Sequence, residues 1–280
     1  MPLFQPNAAG APVRSCPNFC WDGVLLSSFE TTPGPGSDES GSTAETEISL
    51  TFRKGLQVMM AFDGDDRQLT LAEIARKTGL NRSVARRLVR TLLHTGILRE
   101  TGQRFEMTVG VLRLARGFTD GHRIAQIIQP ILRRTSESIS ENVSFALRDG
   151  VDATYVAHAQ VKGSFTLNRV AIGTHVPLAS TAAGHAILAH VDPDDWPDGV
   201  DRTPALDETI QQVHRRGFAY LADGLIDGVS SVAFPVLRAN GLIEGAVSIL
   251  FPTDRFDPAA MPAPLIAELR QCAVDIGTSL

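Results

Sequence analysis

The chain has 280 residues, of which 43% are apolar, so it is long enough to bury the cores of about two domains. No uninterrupted apolar run reaches the roughly 18 residues of a membrane span, and the first residues lack the basic and apolar segments of a secretory signal. The three cysteines, Cys16, Cys20 and Cys272, are too scattered for a disulfide framework, which favours a reducing cytoplasm. Because no further Cys or His pair lies near the first two cysteines, we expect no metal site there. We also expect no cofactor.

The net charge of −5 hides a strong asymmetry along the chain. Residues 1–47 contain one Lys or Arg and six Asp or Glu, whereas residues 48–118 contain 13 basic and six acidic residues. Residues 119–280 are acidic again, with 12 basic and 19 acidic residues. A basic module between two acidic ones predicts that only the middle segment meets a polyanion such as nucleic acid.

Residues 1–47 are rich in Pro, Gly, Ser, Thr and acids, and their apolar residues follow no helical or strand period. Such a composition cannot bury enough apolar surface to offset the entropy of ordering, so we predict a disordered leader. The apolar residues around Leu25 leave open a short partner-binding patch within it.

Residues 48–108 carry the pattern of a winged helix-turn-helix domain. An opening amphipathic helix is followed by a second helix, LAEIARKT, which begins with a capping box at Thr70. After a tight turn, a third helix is predicted from Arg82 to His94. Two short strands, ILRE and RFEMT, are joined by three residues that include a glycine, which predicts a hairpin that forms the wing.

The third helix has one apolar face and one basic face. Val84, Leu88 and Leu92 are spaced by four residues and are expected to pack against the first two helices. The arginines lie on a different face, where they repel each other unless phosphate compensates their charge. Taken alone this is also the pattern of a solvated basic face, but after a helix-turn and before a hairpin it is typical of a helix that reads the major groove. The predicted DNA contacts are Thr70, Asn81, Arg82, Ser83, Arg86, Arg87, Arg90 and Arg104.

The remaining residues predict a linker helix and a domain of mixed strands and helices. Residues 109–121 form the linker, and residues 122–280 begin with a longer helix in which Pro130 should cause a bend or a restart. Strand-like segments with Gly turns then alternate irregularly with helices as far as a terminal helix. Strands and helices without regular βαβ alternation indicate the α+β class.

From about residue 48 to its end, the chain resembles the IclR (isocitrate lyase regulator) family of transcriptional regulators. The segments SLTFRKGLQVMMAF and LTLAEIARKTGL resemble the first helix of that family and its helix-turn-helix. In the second half, GTHVPLASTAAG at residues 173–184 and GVSSVAFPV at residues 228–236 resemble the two sensor motifs of the family. Each motif is weak alone, and the four together in this order are specific.

This resemblance implies an N-terminal winged helix-turn-helix followed by a GAF-like effector-binding domain, assembled in dimers or dimers of dimers. It also implies a small organic acid as effector, often an aromatic one in catabolic pathways, and either repression or activation. The chain departs from the family pattern at four positions. These are Lys54 in place of Arg, Gly224 in place of Glu, Ser230 in place of Arg, and His185 in place of Lys or Arg.

A sensor for a small acid needs an apolar cleft with a few convergent hydrogen-bond donors. Residues 177–184 offer small side chains and a helix start, whose N–H groups attract a carboxylate. Two serines before a strand are candidates for the opposite wall, and Asn142 and Ser144 alternate on one strand face. His158 and His175 are weaker candidates, because a lone histidine in a strand is more often structural. The predicted effector-binding residues are Asn142, Ser144, Ala179, Ser180, Thr181, Ala182, Ser230 and Ser231.

We therefore expect a cytoplasmic regulator whose partners are double-stranded DNA with a pseudo-palindromic operator, a small organic acid and further copies of the chain, and not a membrane. Two alternatives stay open. An enzyme on the C-terminal domain is disfavoured because the sequence contains no nucleophile elbow, zinc-protease motif, phosphate loop or dinucleotide fingerprint. A protein-interaction scaffold built on the winged helix is disfavoured by the arginines of the third helix.

Overall fold

The computed structural model describes residues 48–63, 66–165, 171–224, 226–257 and 260–280. The predicted disordered leader, residues 1–47, lies outside the described residues. Within the described part of the chain, no helix combines the length and the apolar character that crossing a membrane would need.

Three helices and a three-stranded antiparallel sheet form the N-terminal unit. Its elements are α1 (Leu50–Met60), β1 (Gln68–Thr70), α2 (Leu71–Thr78), α3 (Arg82–His94), β2 (Leu98–Thr101) and β3 (Arg104–Met107). The capping box predicted at Thr70 is present at the start of α2, and α3 has the bounds that its sequence pattern predicts. The strand order is β1-β3-β2, so the wing hairpin gains a third strand that the sequence analysis did not predict.

The apolar face of α3 packs inward as predicted and is wider than the three predicted residues. Ala85, Leu88 and Val89 are buried in the core of the N-terminal unit. Val84 and Leu92, which we expected to pack inward with Leu88, are half-buried and pack against the same core. The buried residues are spaced by three and four, so the inward face of α3 also includes Ala85 and Val89.

A joint with an unusual backbone connects the N-terminal unit to the rest of the chain. It consists of a 3₁₀ turn (Val109–Val111), α4 (Leu112–Gly121), a π-helical turn (Ile124–Ile128) and α5 (Gln129–Ile139). Arg123, between α4 and the π-helical turn, adopts the left-handed conformation with φ of 50° and ψ of 31°. Pro130 lies in the first turn of α5, where its missing N–H is tolerated, so the helix restarts there as the sequence predicts.

An antiparallel sheet of six strands with helices on both faces forms the C-terminal unit. The strands are β4 (Val143–Asp149), β5 (Asp152–Ala159), β6 (His175–Pro177), β7 (Ala219–Ala222), β8 (Val229–Leu237) and β9 (Ile243–Pro252), and the helices after α5 are α6 (Ala182–Leu188), α7 (Pro204–Arg216) and α8 (Ala263–Ser279). In space the strand order is β6-β5-β4-β9-β8-β7. Together with the N-terminal unit, this arrangement confirms the α+β class.

The two faces of the six-stranded sheet differ in the size of their side chains. Toward α5 and α8 the sheet presents large residues, including the fully buried Phe145 and Phe234. Toward α6 and α7 it presents small ones such as Ala146, and we call this side the small-residue face. A Cβ atom at Gly184 of α6 would lie 2.2 Å from the carbonyl oxygen of Leu178, so only glycine permits this close packing.

Candidate DNA-binding and effector-binding sites

The turn between α2 and α3 determines the direction of α3. Gly79 ends α2 with φ of 64°, a left-handed conformation that glycine adopts without strain. Asn81 then caps α3, because its Oδ1 accepts hydrogen bonds from the N–H of Val84 at 2.9 Å and from the Oγ of Ser83 at 2.8 Å. Asn81, one of the predicted DNA contacts, therefore also holds the first turn of α3.

The outer face of α3 is cationic and uncompensated. Arg82, Arg86, Arg87 and Arg90 are exposed, with the exposed Ser83 among them. The helix contains no acid, and the ion pairs formed in the described part of the chain include none of these four arginines. Bound phosphate would relieve their mutual repulsion, as expected for a helix that lies against DNA.

The other two predicted DNA contacts are held by the protein itself. The N–H and the Oγ1 of Thr70 donate to Oε2 of Glu73 at 2.7 and 2.9 Å. Arg104 donates from Nη1 to the carbonyl oxygen of Gln68 at 2.9 Å and to the same Glu73 oxygen at 3.4 Å. The hydrogen bonds from Thr70, first of all the one from its backbone, lower the pKa of Glu73.

A row of polar side chains crosses the small-residue face of the sheet. His158, Ser144, Ser248 and Ala233 are register neighbours on β5, β4, β9 and β8. The Oγ of Ser144 lies 2.8 Å from Nδ1 of His158, and burial lowers the pKa of this histidine, so its ring is largely neutral at pH 7. Burial also raises the pKa of Tyr155 on the same face, against an opposing effect of the Ser248 hydroxyl. These groups offer hydrogen bonds without a formal charge.

Two polar residues of the small-residue face, Tyr155 and Ser248, were not predicted from the sequence. Each lies in an apolar strand segment with no motif around it. The one sequence signal for this site is Ser248, a hydroxyl among the apolar residues of β9. A polar group in a buried strand usually has a hydrogen-bond partner.

Ser230 and Ser231, which we predicted on one wall, lie on opposite faces of the sheet. Adjacent residues of a strand point to opposite faces, and only Ser231 shares the small-residue face. Ser230 is fully buried on the other face, where its Oγ donates to Oγ1 of Thr253 at 3.0 Å and accepts from the hydroxyl of Tyr220 at 3.3 Å. The prediction that both serines line one pocket is therefore corrected by the pleat of the strand.

Asn142 holds the segment that follows β5. Its Nδ2 donates to the carbonyl oxygen of Phe165 at 2.9 Å, and its Oδ1 accepts from the N–H of Val161 at 3.0 Å. The residue is 7% exposed, so both polar ends of its side chain are engaged by main chain inside the protein. Asn142 thus shapes the rim of the small-residue face beside Ser144.

The start of α6 is closely packed. Oγ1 of Thr181 accepts from the N–H of Gly184 at 3.1 Å and donates to a main-chain carbonyl oxygen at 2.8 Å. Ala182 is 1% exposed and belongs to the core, whereas Ala179 is half-buried and Ser180 is exposed. Of the four residues predicted here, Thr181 and Ala182 hold the helix in place, and only Ala179 and Ser180 reach the surface.

His185 takes the place of a family cation and is buried. It is 4% exposed, and its Nε2 lies 2.8 Å from the carbonyl oxygen of Ala179. Burial lowers its pKa, and the hydrogen bond to Ala179 opposes this shift. A neutral ring at this position ties α6 to the loop before it without placing a positive charge beside the sheet.

Two family descriptions match the chain. Residues 51–102 match the IclR helix-turn-helix domain, and residues 117–278 match the bacterial transcriptional regulator IclR C-terminal domain. The chain belongs to the IclR family. It is therefore an IclR-type transcriptional regulator with a DNA-binding helix-turn-helix and a C-terminal effector-binding domain, and it is not an enzyme.

Relatives and solved structures agree with membership of the IclR family. The chain is 26% identical to the Pca regulon regulatory protein of Pseudomonas putida over 211 residues, which cover 71% of this chain and 72% of that protein. It is 25% identical to the p-hydroxybenzoate hydroxylase transcriptional activator of Acinetobacter baylyi over 259 residues, which cover 86% and 95%. An IclR homolog from Microbacterium hydrocarbonoxydans, solved with 4-hydroxybenzoate, has the same fold with a TM-score of 0.69 at 22% identity, covering 82% of this chain and 98% of that one.

Proposed function

We propose that this IclR-family regulator binds a pseudo-palindromic operator as a dimer or a dimer of dimers and controls a catabolic operon in the cytoplasm. In this proposal, a small aromatic acid on the C-terminal unit changes the affinity for the operator. The observation that carries the proposal is the exposed, uncompensated arginine face of α3. We assign residues 48–108 to the DNA-binding domain, 109–121 to the linker and 122–280 to the effector-binding domain.

The operator contacts follow from the face that α3 exposes. The helix has 13 residues and is about 20 Å long, so only part of it fits into one major groove and reads a few base pairs. A few base pairs cannot select one site in a genome, which requires a second copy on an inverted half-site. We propose Asn81, Arg82, Ser83, Arg86, Arg87 and Arg90 as the residues that lie against DNA.

Exposed apolar side chains on α1 and α4 support the oligomer. Phe52 is 68% exposed on α1, and Leu112 and Leu114 are 65% and 63% exposed on α4. Large apolar residues clustered on the surface of a small unit mark a contact with another chain. The exposed large apolar residues of the two helices and their flanks are Ile48, Leu50, Phe52, Leu56, Met60, Val109, Leu112, Leu114 and Phe118.

The small-residue face is our proposed effector site. Its neutral donors and acceptors, Ser144, His158 and Ser231, are surrounded by apolar side chains, as in pockets that orient a ring through a few polar groups. The names of two relatives connect them with p-hydroxybenzoate hydroxylase and with a Pca regulon, which supports an aromatic acid as the effector class. We place Ala179 and Ser180 at the edge of this site.

Binding of the full chain to DNA from upstream of its own gene tests the DNA-binding half of the proposal. Replacing both Arg86 and Arg87 by Ala should abolish specific binding in moderate salt, since up to about 1–3 kcal/mol is lost for each base-reading pair. The matched control replaces Arg215 and Arg216 by Ala, an adjacent exposed pair on α7, and should bind as the wild type does. Wild-type affinity in the α3 variant would contradict the proposal.

The effector half is tested by titrating 4-hydroxybenzoate and the aliphatic acid succinate into the complex with DNA. We expect the aromatic acid to shift operator affinity and succinate to have no effect. Ser144→Ala should weaken the response to the aromatic acid by about three- to tenfold, whereas Ser230→Ala, on the opposite face of the sheet, should leave it unchanged. Equal effects of the two serine variants would show that the site is misplaced.

A further inference from the structure

The two cations of the wing hairpin are both paired with acids inside the DNA-binding domain. Arg99 on β2 forms an ion pair with Glu106, and Arg104 on β3 forms one with Glu73. The arginines of α3 take part in none of the ion pairs of the described residues. Within the described part of this domain, the wing arginines are therefore paired with acids, whereas the α3 arginines are not.

Arg104 joins three elements at a single carboxylate oxygen. It lies opposite Thr70 in the register of β1 and β3, and its Nη1 donates to the carbonyl oxygen of Gln68 at 2.9 Å and to Oε2 of Glu73 at 3.4 Å. The same Oε2 accepts the N–H and the Oγ1 hydrogen of Thr70 at 2.7 and 2.9 Å. A displacement of the wing away from α2 would have to break the two bonds from Arg104.

The position of Glu73 makes this pair relevant to DNA binding. The hydrogen bonds from Thr70 lower the pKa of Glu73, so the carboxylate is ionised at neutral pH. Glu73 lies in the first turn of α2, and the first helix of a helix-turn-helix crosses the DNA backbone. The ion pair with Arg104 therefore ties the wing to a helix that is expected to cross the DNA backbone.

We propose that Arg104 is a positioning residue that acts through Glu73: its ion pair with this carboxylate holds the wing against the first turn of α2, instead of gripping a phosphate. This inference rests on the proposed binding of DNA through α3. It removes Arg104 from the predicted DNA contacts and gives Glu73, an acid, a favourable role in binding a polyanion.

The sign of the effect of Glu73→Gln separates positioning from direct contact. Glutamine preserves the capping box with Thr70 and loses the charge that holds Arg104. If Arg104 acts through Glu73, then Glu73→Gln and Arg104→Gln each weaken operator binding by about two- to fivefold, and the double variant binds no more weakly than Arg104→Gln. If Arg104 grips phosphate, Glu73→Gln releases it from a competitor, and unchanged or tighter binding overturns the proposal.

The salt dependence of binding is the second readout, and a merely structural role would not move it. Fluorescence anisotropy of the full chain on DNA from upstream of its gene gives the slope of log K against log salt for each variant. We expect Arg104→Gln to keep the wild-type slope, whereas the Arg86 and Arg87 double variant loses about 0.9 for each phosphate contact removed. A loss of about 0.9 in Arg104→Gln overturns the proposal.

Two controls keep the outcomes distinct. Thermal unfolding should show that Glu73→Gln and Arg104→Gln are folded, and Arg104→Lys, which keeps the charge, should retain most of the operator affinity. If Arg104→Gln does not fold, the sign of the Glu73→Gln effect still decides. If instead the wild type binds no segment of the upstream DNA, or the Arg86 and Arg87 variant keeps full affinity, then the function proposed for α3 falls irrespective of Arg104.

Discussion

Removal of the cap of α3 should reduce both stability and DNA binding. The Oδ1 of Asn81 accepts the N–H of Val84 at 2.9 Å, one of the N–H groups that a helix start leaves unsatisfied. Asn81→Ala deletes this acceptor, and the loss of an N-cap costs about 1 kcal/mol, with a range of 0.5–2 kcal/mol. Because the first turn of α3 carries Arg82 and Ser83, fraying of this turn should also weaken operator binding by about fivefold.

Two further variants separate capping from direct contact with DNA. Asn81→Asp keeps an acceptor at the cap and should retain stability, but its negative charge should weaken binding if the side chain lies near phosphate. Thr203→Ala removes the matching cap of α7, where Oγ1 accepts the N–H of Leu206 at 3.2 Å, and should reduce stability without changing operator affinity.

Urea unfolding and anisotropy titrations on the same preparations provide the measurements. Asn81→Ala should lower both stability and operator affinity. Asn81→Asp should lower operator affinity alone, and Thr203→Ala should lower stability alone. Full operator affinity in both Asn81 variants would refute the placement of the start of α3 against DNA.

Three further predictions concern the linker and the effector-binding domain. Leu114→Asp, at a side chain that is 63% exposed on α4, should leave the monomer folded and shift sedimentation velocity toward monomers, and an unchanged dimer would exclude α4 from the interface. Burial lowers the pKa of His185, so the unfolded state takes up its proton first and stability falls as the pH drops below about 6.5, by up to about 1.4 kcal/mol per unit. In His185→Gln, the urea midpoint should depend less on pH between pH 7.5 and 5, by at most about 1.4 kcal/mol per unit. An unaltered pH dependence would contradict the lowered pKa of His185. Gly184→Ala would place its Cβ 2.2 Å from the backbone oxygen of Leu178 and should lower the free energy of unfolding by at least about 1–3 kcal/mol, whereas a stability equal to wild type would refute the close packing of α6.

The sequence alone determined those features that short stretches of chain encode. The capping box at Thr70, the limits of α3 at Arg82 and His94, and the restart at Pro130 depend on residues within one or two turns of each other. The basic face of α3 follows in the same way from helical spacing, and the charge asymmetry needs only counting. Local chemistry therefore predicted the helices of the helix-turn-helix more closely than any other part of the protein.

Only the tertiary structure decided which side chains meet across the sheet. Ser144 and Ser248 are far apart in sequence and become neighbours because β4 pairs with β9 in one particular register. The same pleat turns Ser230 away from Ser231, although the two serines are adjacent in one motif. Similarly, Arg104 pairs with Glu73 only because β3 lies beside β1, and no local sequence pattern predicts this strand pairing. Strand register and packing are set by the whole core. A charged group or hydroxyl in the sequence can therefore bind a ligand or DNA only where the fold does not already pair it with another group of the protein.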